Sequence, residues 1–387
     1  MKMYPFQKYL LSLLIFCLCW GSMVHAAESV VGANSTLGLS PSAVSAGAGD
    51  AVLAMPGSAL TLGLSPVGML DRKSHGLGLS HTEHLDGTRL DAISGIFALD
   101  SFTRLGALVM RYGADGIPYI KEGEPLPVDD EWNTLSIADY VLSIAVARKL
   151  PLKLEAALAL HFLYRELDQV GAGFRGDAML RFRPVDRWFL GAKLEGWTSS
   201  RTYWASGYEE YSPAELYWAT GYRQSVPYLY GEVSLGYQSP GTISPGNRSF
   251  SVADSWLSDT SLTSKSDLGG GRPWEAPLTW LGEGSLGAEL RFDWGGAVRL
   301  GLQSAKDFDS WSVGGGFKVL RWISIDYSFA RQPRFSGIHR VSMEFEPWAN
   351  KKLPPPPSAT TPPPPQPVEP VPAPEIAEEP AGKTWEE

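Results

Sequence analysis

Few side chains in this 387-residue chain have the type and spacing to do chemistry. His75, His81 and His84 cluster, but on an extended strand His84 has the opposite parity to the other two. One face therefore holds only a pair, and no matching carboxylate stands out, so no metal site is expected. Both cysteines, Cys17 and Cys19, fall in the first 26 residues, which leaves the rest without a thiol for disulfides, metal ligation or nucleophilic attack. Ser, His and Asp all occur, yet no G-x-S-x-G elbow presents a nucleophile. Asp129-Asp130-Glu131 could hold a calcium ion, although a solvated acidic loop is the plainer reading. Neither an enzyme nor a cofactor is expected. The richer set is a series of charges at alternate positions: Lys153, Glu155, Arg165, Arg181, Arg183, Lys193, Glu195, Glu232, Glu289, Arg291, Arg299, Asp326, Arg340 and Glu344. If all face one enclosed interior, they can pair with each other. A basic member (Lys153, Arg165, Arg181, Arg183, Lys193, Arg291, Arg299 or Arg340) could instead hold the carboxylate of an apolar ligand.

What would position them is strand after strand of alternating residues. Leu152–Tyr164 reads LKLEAALALHFLY, with Leu154, Leu158, Leu160, Phe162 and Tyr164 on one side and Lys153, Glu155, His161 and Arg165 turned the other way. A tilted strand crosses a bilayer in about 9–11 residues. Fourteen such segments are predicted, near 74–84, 88–99, 104–113, 135–149, 152–166, 175–184, 188–198, 213–223, 227–238, 283–294, 296–304, 309–320, 322–331 and 336–346. The faces near 74–99 are ambiguous, since both carry apolar residues. Every second connection is short: Asp100–Thr103, around Pro151, Pro184–Arg187, Gln224–Val226, Gly295 and around Arg321. That rhythm, with Trp188, Trp197, Trp294, Trp311 and Trp322 placed for interfacial belts, predicts an all-β, 14-stranded antiparallel transmembrane barrel. A soluble sandwich is disfavoured, because its strands usually run only about 5–6 residues.

Residues 1–26 read as a cleaved signal peptide, with Lys2 and Lys8 before an apolar run and Val24-His25-Ala26 at the cleavage site. Net charge falls from −9 to −11 without it. An acidic chain lacking a basic stripe argues against nucleic-acid binding. Secreted, thiol-free, aromatic-rich and alternating, the chain is expected in a bacterial outer membrane, with membrane lipid as its surroundings. Residues 27–72 are small and weakly charged and read as a plug, residues 73–347 as the barrel, and residues 348–387 as a disordered Pro-rich periplasmic tail. In that tail 13 of the 34 residues from Pro354 onward are proline, a spacer composition reaching roughly 100 Å at about 3.1 Å per residue.

Two sets of motifs then carry a resemblance. Gly47-Ala48-Gly49-Asp50-Ala51-Val52-Leu53-Ala54 is followed by Ser65-Pro66-Val67-Gly68. Later come Ala288-Glu289-Leu290, Val298-Arg299-Leu300-Gly301, Val313-Gly314-Gly315-Gly316-Phe317, Ile325-Asp326-Tyr327-Ser328 and His339-Arg340-Val341-Ser342. In order and spacing the chain resembles the FadL-type outer-membrane barrels, and more closely their PorV/PorQ-type relatives, across most of residues 40–347. Ser65 stands where that family has Asn, and Val67 where it has Ala. The resemblance implies a fourteen-stranded barrel with an N-terminal hatch inside, whose motif residues here are Gly47, Gly49, Asp50, Ser65, Pro66 and Gly68. It implies passive passage of hydrophobic, fatty-acid-like molecules. The alternative it carries is a PorV-like scaffold or shuttle of a type IX-like protein secretion system, or a structural barrel. Secreted or periplasmic proteins would then bind outer loop 239–281 and tail 348–387.

Overall fold

The computed structural model describes residues 35–72, 74–84, 87–120, 132–167, 169–198, 200–212, 214–241, 284–304, 309–331 and 337–347. The expected signal peptide, the acidic run Asp129-Asp130-Glu131, most of loop 239–281 and the expected tail lie outside them. Contacts divide the chain into two units, Met1–Pro354 and Pro355–Glu387, and every described residue belongs to the first.

The alternating segments become strands β1 (Gly76–Glu83), β2 (Arg89–Ala98), β3 (Thr103–Tyr119), β4 (Asn133–Lys149), β5 (Leu154–Glu166), β6 (Val170–Val185), β7 (Trp188–Glu195), β8 (Ser200–Trp204), β9 (Glu209–Ser212), β10 (Glu215–Val226), β11 (Gly231–Gly241), β12 (Ser285–Phe292), β13 (Gly296–Ser304), β14 (Asp309–Leu320), β15 (Ile323–Arg331) and β16 (Ile338–Phe345). Sequential neighbours pair antiparallel, and β1 closes on β16 from Leu77↔Phe345 to Glu83↔His339. The short β8 pairs with the far end of β6 (Gly171↔Trp204 to Phe174↔Arg201) and with β9. It thus continues the course of β7, as β9 continues that of β10. Among the described residues the wall is therefore a closed antiparallel barrel of fourteen strands, as the alternation predicts. Closure leaves no open sheet edge in lipid.

Parity follows the sequence. On β5, Leu160, Phe162 and Tyr164 are 45–49% exposed on the outside, while Ala157, Ala159, His161 and Leu163 are at most 3% exposed. The outer surface is apolar strand by strand, as at Val298, Leu300, Val313, Phe317 and Val341. Trp188 with Tyr222 marks the short-turn rim, and Trp218 with Tyr237 and Trp311 with Phe329 mark the opposite one.

Three details depart from the sequence reading. β10 runs on to Val226, so its turn is Pro227–Leu229, with Tyr230 left-handed at φ 47°. Correspondingly, β11 spans Gly231–Gly241 rather than starting at 227, and residues 239–241 belong to the wall. The third is a break between β7 and β8. The ladder with β6 stops at Ala178↔Leu194 and resumes at Phe174↔Arg201, so residues 175–177 face residues 195–198 and 200. Gly196 supplies the left-handed bend (φ 66°). The ladder bonds are replaced by Trp197 N–H to Gly176 O (2.9 Å), Gly176 N–H to Thr198 Oγ1 (2.8 Å) and Gly196 N–H to Asp177 Oδ1 (3.0 Å).

Residues 35–72 do not join the sheet. Their Gly, Ser and Pro content allows only short turns: 3-10 segments Ser35–Gly38, Ala59–Thr61 and Pro66–Asp71, and α1 (Ala43–Gly47), capped by Ser42 accepting from Ser45 N–H. They lie against inward-facing wall residues on two different surfaces. On one side Leu60, Leu62, Val67 and Met69, all fully buried, pack on Leu90, Ile96, Leu108, Met110, Val141, Leu163 and Met179 of β2–β6. Each such side chain withdrawn from water contributes about 1.5–3 kcal/mol. On the other side the wall offers glycine. Gly221, Gly236, Gly287 and Gly301 stand in direct register across β10–β13, and the backbone of residues 48–54 lies along them. A Cβ on Gly301 would stand 1.9 Å from Gly49 N, and one on Gly236 would stand 2.7 Å from Ala54 O.

The barrel interior as candidate functional site

The inward charges are built by strand parity, and nearly all are neutralised. Asp71, at the end of the inner segment, receives Arg181 Nη2 at 2.9 Å and Arg183 Nη2 at 2.8 Å. Glu155 accepts from Arg181 Nε at 2.5 Å. Burial alone would push the Asp71 carboxyl up, but Arg181, Arg183 and Arg223 together hold it well below the usual carboxylate range. Beside it Arg72 bridges Glu344 (2.6 Å) and Glu346 (2.5 Å), and Glu344 also accepts from Ala59 N–H (2.8 Å). The segment is thus fastened at the short-turn rim by two ion-pair groups, Asp71 with Arg181 and Arg183, and Arg72 with Glu344 and Glu346; on the wall nearby Asp326 is bound to Arg299 at 2.7 Å. Toward the other rim, Thr36 donates to Asp139, which also accepts from Arg165 Nε at 3.0 Å.

The eight basic ligand candidates therefore divide. Arg165, Arg181, Arg183, Lys193, Arg291 and Arg299 all face the interior side and each has an acid partner within 3.5 Å. Arg291 is half exposed and bonded to Glu289 at 2.9 Å. Lys153 is a correction: it sits in the turn before β5 at φ 60°, largely exposed, and reaches Asp186 at 3.6 Å. Its parity was counted one residue too far into the strand. Arg340 is buried at 4% exposure, and its Nε has no hydrogen-bond partner.

Of the motif residues, Gly47 and Gly49 make close approach possible. A Cβ on Gly47 would lie 2.9 Å from Gly314 Cα, and Gly49 is left-handed (φ 66°) with its N–H on Ser312 Oγ at 3.1 Å. Asp50 is left-handed (φ 53°) and partly buried, with its Oδ1 out of contact with solvent. Burial pushes its carboxyl up, against Arg340, Ser40 and Ser45, which lower it. Ser65 caps nothing, and its Oγ lies 3.8 Å from Met179 Sδ. Pro66 opens the 3-10 turn, and Gly68 lets the chain cross Gly57 with a would-be Cβ only 3.0 Å from the Gly57 Cα.

Two groupings escaped the sequence. His81 does have a carboxylate opposite it: Asp91 Oδ1 lies 2.6 Å from its Nδ1 on the outer wall, because β1 and β2 pair His81↔Asp91. Inside, Ser143 Oγ lies 2.7 Å from His161 Nδ1, and His161 Nε2 lies 3.3 Å from Asp177 Oδ2. That carboxylate is already held by Arg175 (3.1 Å), Lys193 (3.2 Å) and Gly196 N–H, beside the break in the wall. The arrangement ties three strands together at full burial, and His161 Nε2 makes no well-formed hydrogen bond. Cross-strand register would have revealed both groupings, but register is not written in one strand's pattern. Among the described residues no group of three or more His, Cys, Asp or Glu is arranged to hold a metal ion.

Leu37, Leu39, Leu60, Leu64, Leu108 and Ser143 help enclose a cavity of about 10 Å³, room for one water molecule at most.

No family model and no curated protein matches the chain. Among solved structures it is similar to the Pseudomonas putida toluene transporter TodX, at 12% identity over 79% of this chain and 97% of that one, TM-score 0.49. It is similar to a Pseudomonas aeruginosa FadL homologue at 9% identity over 83% and 100%, TM-score 0.47. It is also similar to the Acinetobacter baumannii outer membrane protein Omp33 at 7% identity over 71% and 98%, TM-score 0.38.

Proposed function

We propose that the protein is a bacterial outer-membrane channel for small hydrophobic molecules, closed in this state by residues 35–72 acting as a plug. One observation carries the reading: among their charged and polar residues, the inward faces of β2–β6 carry a continuous apolar patch. Barrels that pass polar solutes line their lumens with polar side chains. Here Leu90, Ile96, Leu108, Met110, Val141 and Leu163 form a greasy patch on the inner wall that the leucines of the plug now cover. If the plug shifts, the surface it leaves behind matches an apolar solute. The plug is held by side-chain bonds and ion pairs rather than by strand pairing, so it can move without opening the wall. Export by residues 1–26 and a tail that starts at the short-turn, periplasmic rim belong to the same reading. The secretion alternative rests on loop 239–281 and tail 348–387, and no contact among the described residues favours it.

The test uses the absence of cysteine after Cys19. A Cβ built on Gly63 lies 3.5 Å from Ser143 Oγ, within reach of a disulfide between Gly63→Cys and Ser143→Cys. Uptake of a radiolabelled aromatic hydrocarbon into cells carrying the double variant should collapse when oxidised and return on reduction. Equal uptake in both states removes the interior as the route.

A further inference from the structure

Buried polar groups in folded proteins are nearly always hydrogen-bonded, and clusters of exceptions mark a missing water or ion. Several of the exceptions in this barrel fall in one corner. Arg340 Nε, Thr82 Oγ1, Ser328 Oγ, Ser342 Oγ and Asp50 Oδ1 all lack partners. The placement is set by register. Thr82 on β1 and Ser328 on β15 are the two cross-strand neighbours of Arg340 on β16, and Ser342 follows on the same face. Thr82 and Ser328 are completely buried, Ser342 is 1% exposed and Arg340 is 4% exposed. Asp50 approaches from the inner segment, just past α1.

The wall side of the corner is rich in donors: a guanidinium and three hydroxyls. Asp326 stands opposite Ser342 but is already bound to Arg299. A buried guanidinium with no bonded counter-charge is among the costliest features a protein interior can carry. The charged and titratable groups facing it are Asp50 and His84. Burial and the guanidinium push the His84 imidazole down to about 4, so it brings no charge at neutral pH. Asp50 is the counter-charge nearest to the guanidinium, yet the two form no ion pair, and Asp50 Oδ1 is itself left without a hydrogen-bond partner. A water molecule could satisfy the hydroxyls but not the charge. Other interior cations show the contrast: Arg165, Arg181, Lys193 and Arg299 hold carboxylates directly, and Arg104 is satisfied by the backbone carbonyls of Arg72, Asp100 and Thr103.

We propose that Arg340, Thr82, Ser328 and Ser342, faced by Asp50, form a binding site for a small inorganic monoanion of halide size, held between the barrel wall and the inner segment. The anion supplies the missing counter-charge and accepts from donors that have no other use. It thereby fastens residues 40–50 to β15, β16 and β1, independently of whatever the barrel passes.

The experiment is crystallisation of the full-length, detergent-extracted protein in sodium bromide, with thermal unfolding followed in chloride and in gluconate at constant ionic strength. The expected results are an anomalous bromide peak beside Arg340 and an unfolding midpoint that rises saturably with chloride in the wild type only. Arg340→Gln should lose both. Thr82→Val with Ser328→Ala keeps the charge, covers the case in which Arg340→Gln fails to fold, and should weaken halide about tenfold. No peak at Arg340, with Asp50 in direct contact instead, overturns the proposal. So does an identical chloride response in wild type and both variants.

Discussion

Asp71 serves two guanidiniums at once, and removing its charge exposes what the pairing is worth. In Asp71→Asn, Arg181 stays almost fully buried beside a neutral amide, a loss of about 3 kcal/mol for a buried pair broken on one side. The denaturant midpoint in detergent should fall accordingly, and Asp71→Asn with Arg181→Met should recover part of it. Because the folded carboxyl lies below its unfolded value, its stabilisation is present above that value, about pH 4. It is lost as pH falls further. Protease access to residues 35–72 should therefore rise below about pH 4 in the wild type, and this rise should be smaller in Asp71→Asn. At this scale the sequence is a partial guide. Parity placed Arg181, Arg299 and Arg340 inside, but it could not say that Asp71 and Asp326 would claim the first two and leave the third. Lys153 failed for a local reason: two consecutive left-handed residues, Leu152 and Lys153, end the strand pattern one step before parity counting would stop.

The glycines of the wall divide by the face they present. Gly301→Ala puts a Cβ 1.9 Å from Gly49 N, whereas one on Gly315, facing outward, meets nothing closer than Ala297 O at 3.8 Å. Gly301→Ala should unseat the inner segment at a cost of about 1–3 kcal/mol, read as faster trypsin cleavage before β1. Gly315→Ala should match the wild type. Strand positions were legible because alternation has a period of two and membrane strands are long. The ambiguity of 74–99 now has a cause: the inner face of β2 packs on Leu60 and Leu62 of the inner segment, so both of its sides had to be apolar. The break after Glu195 was not legible. Ser200–Trp204 is too short and too polar to announce a strand, and the side-chain bonds that bridge the gap come from Asp177 and Thr198, one of them on a different strand.

Taken whole, the barrel is a sheet inverted relative to soluble proteins, greasy outside and charged or packed within. Leu300 is 59% exposed at the middle of β13. Leu300→Lys should cost about 2–4 kcal/mol at bilayer depth, seen as a lower folded fraction in lipid vesicles on a gel without boiling. The same substitution in a water-soluble sandwich would be nearly silent, so this variant separates the two architectures. A last consequence follows from where the seat of the plug is made. Ala59 bonds Glu344, 285 positions later, and Gly49 bonds Ser312, 263 positions later. The leading stretch leaves the ribosome first, yet its resting place does not exist until the final strands have arrived and the seam between β1 and β16 has sealed. These leucines therefore wait uncovered until that seam closes, and the last zipper to close is also what imprisons a stretch made well before it.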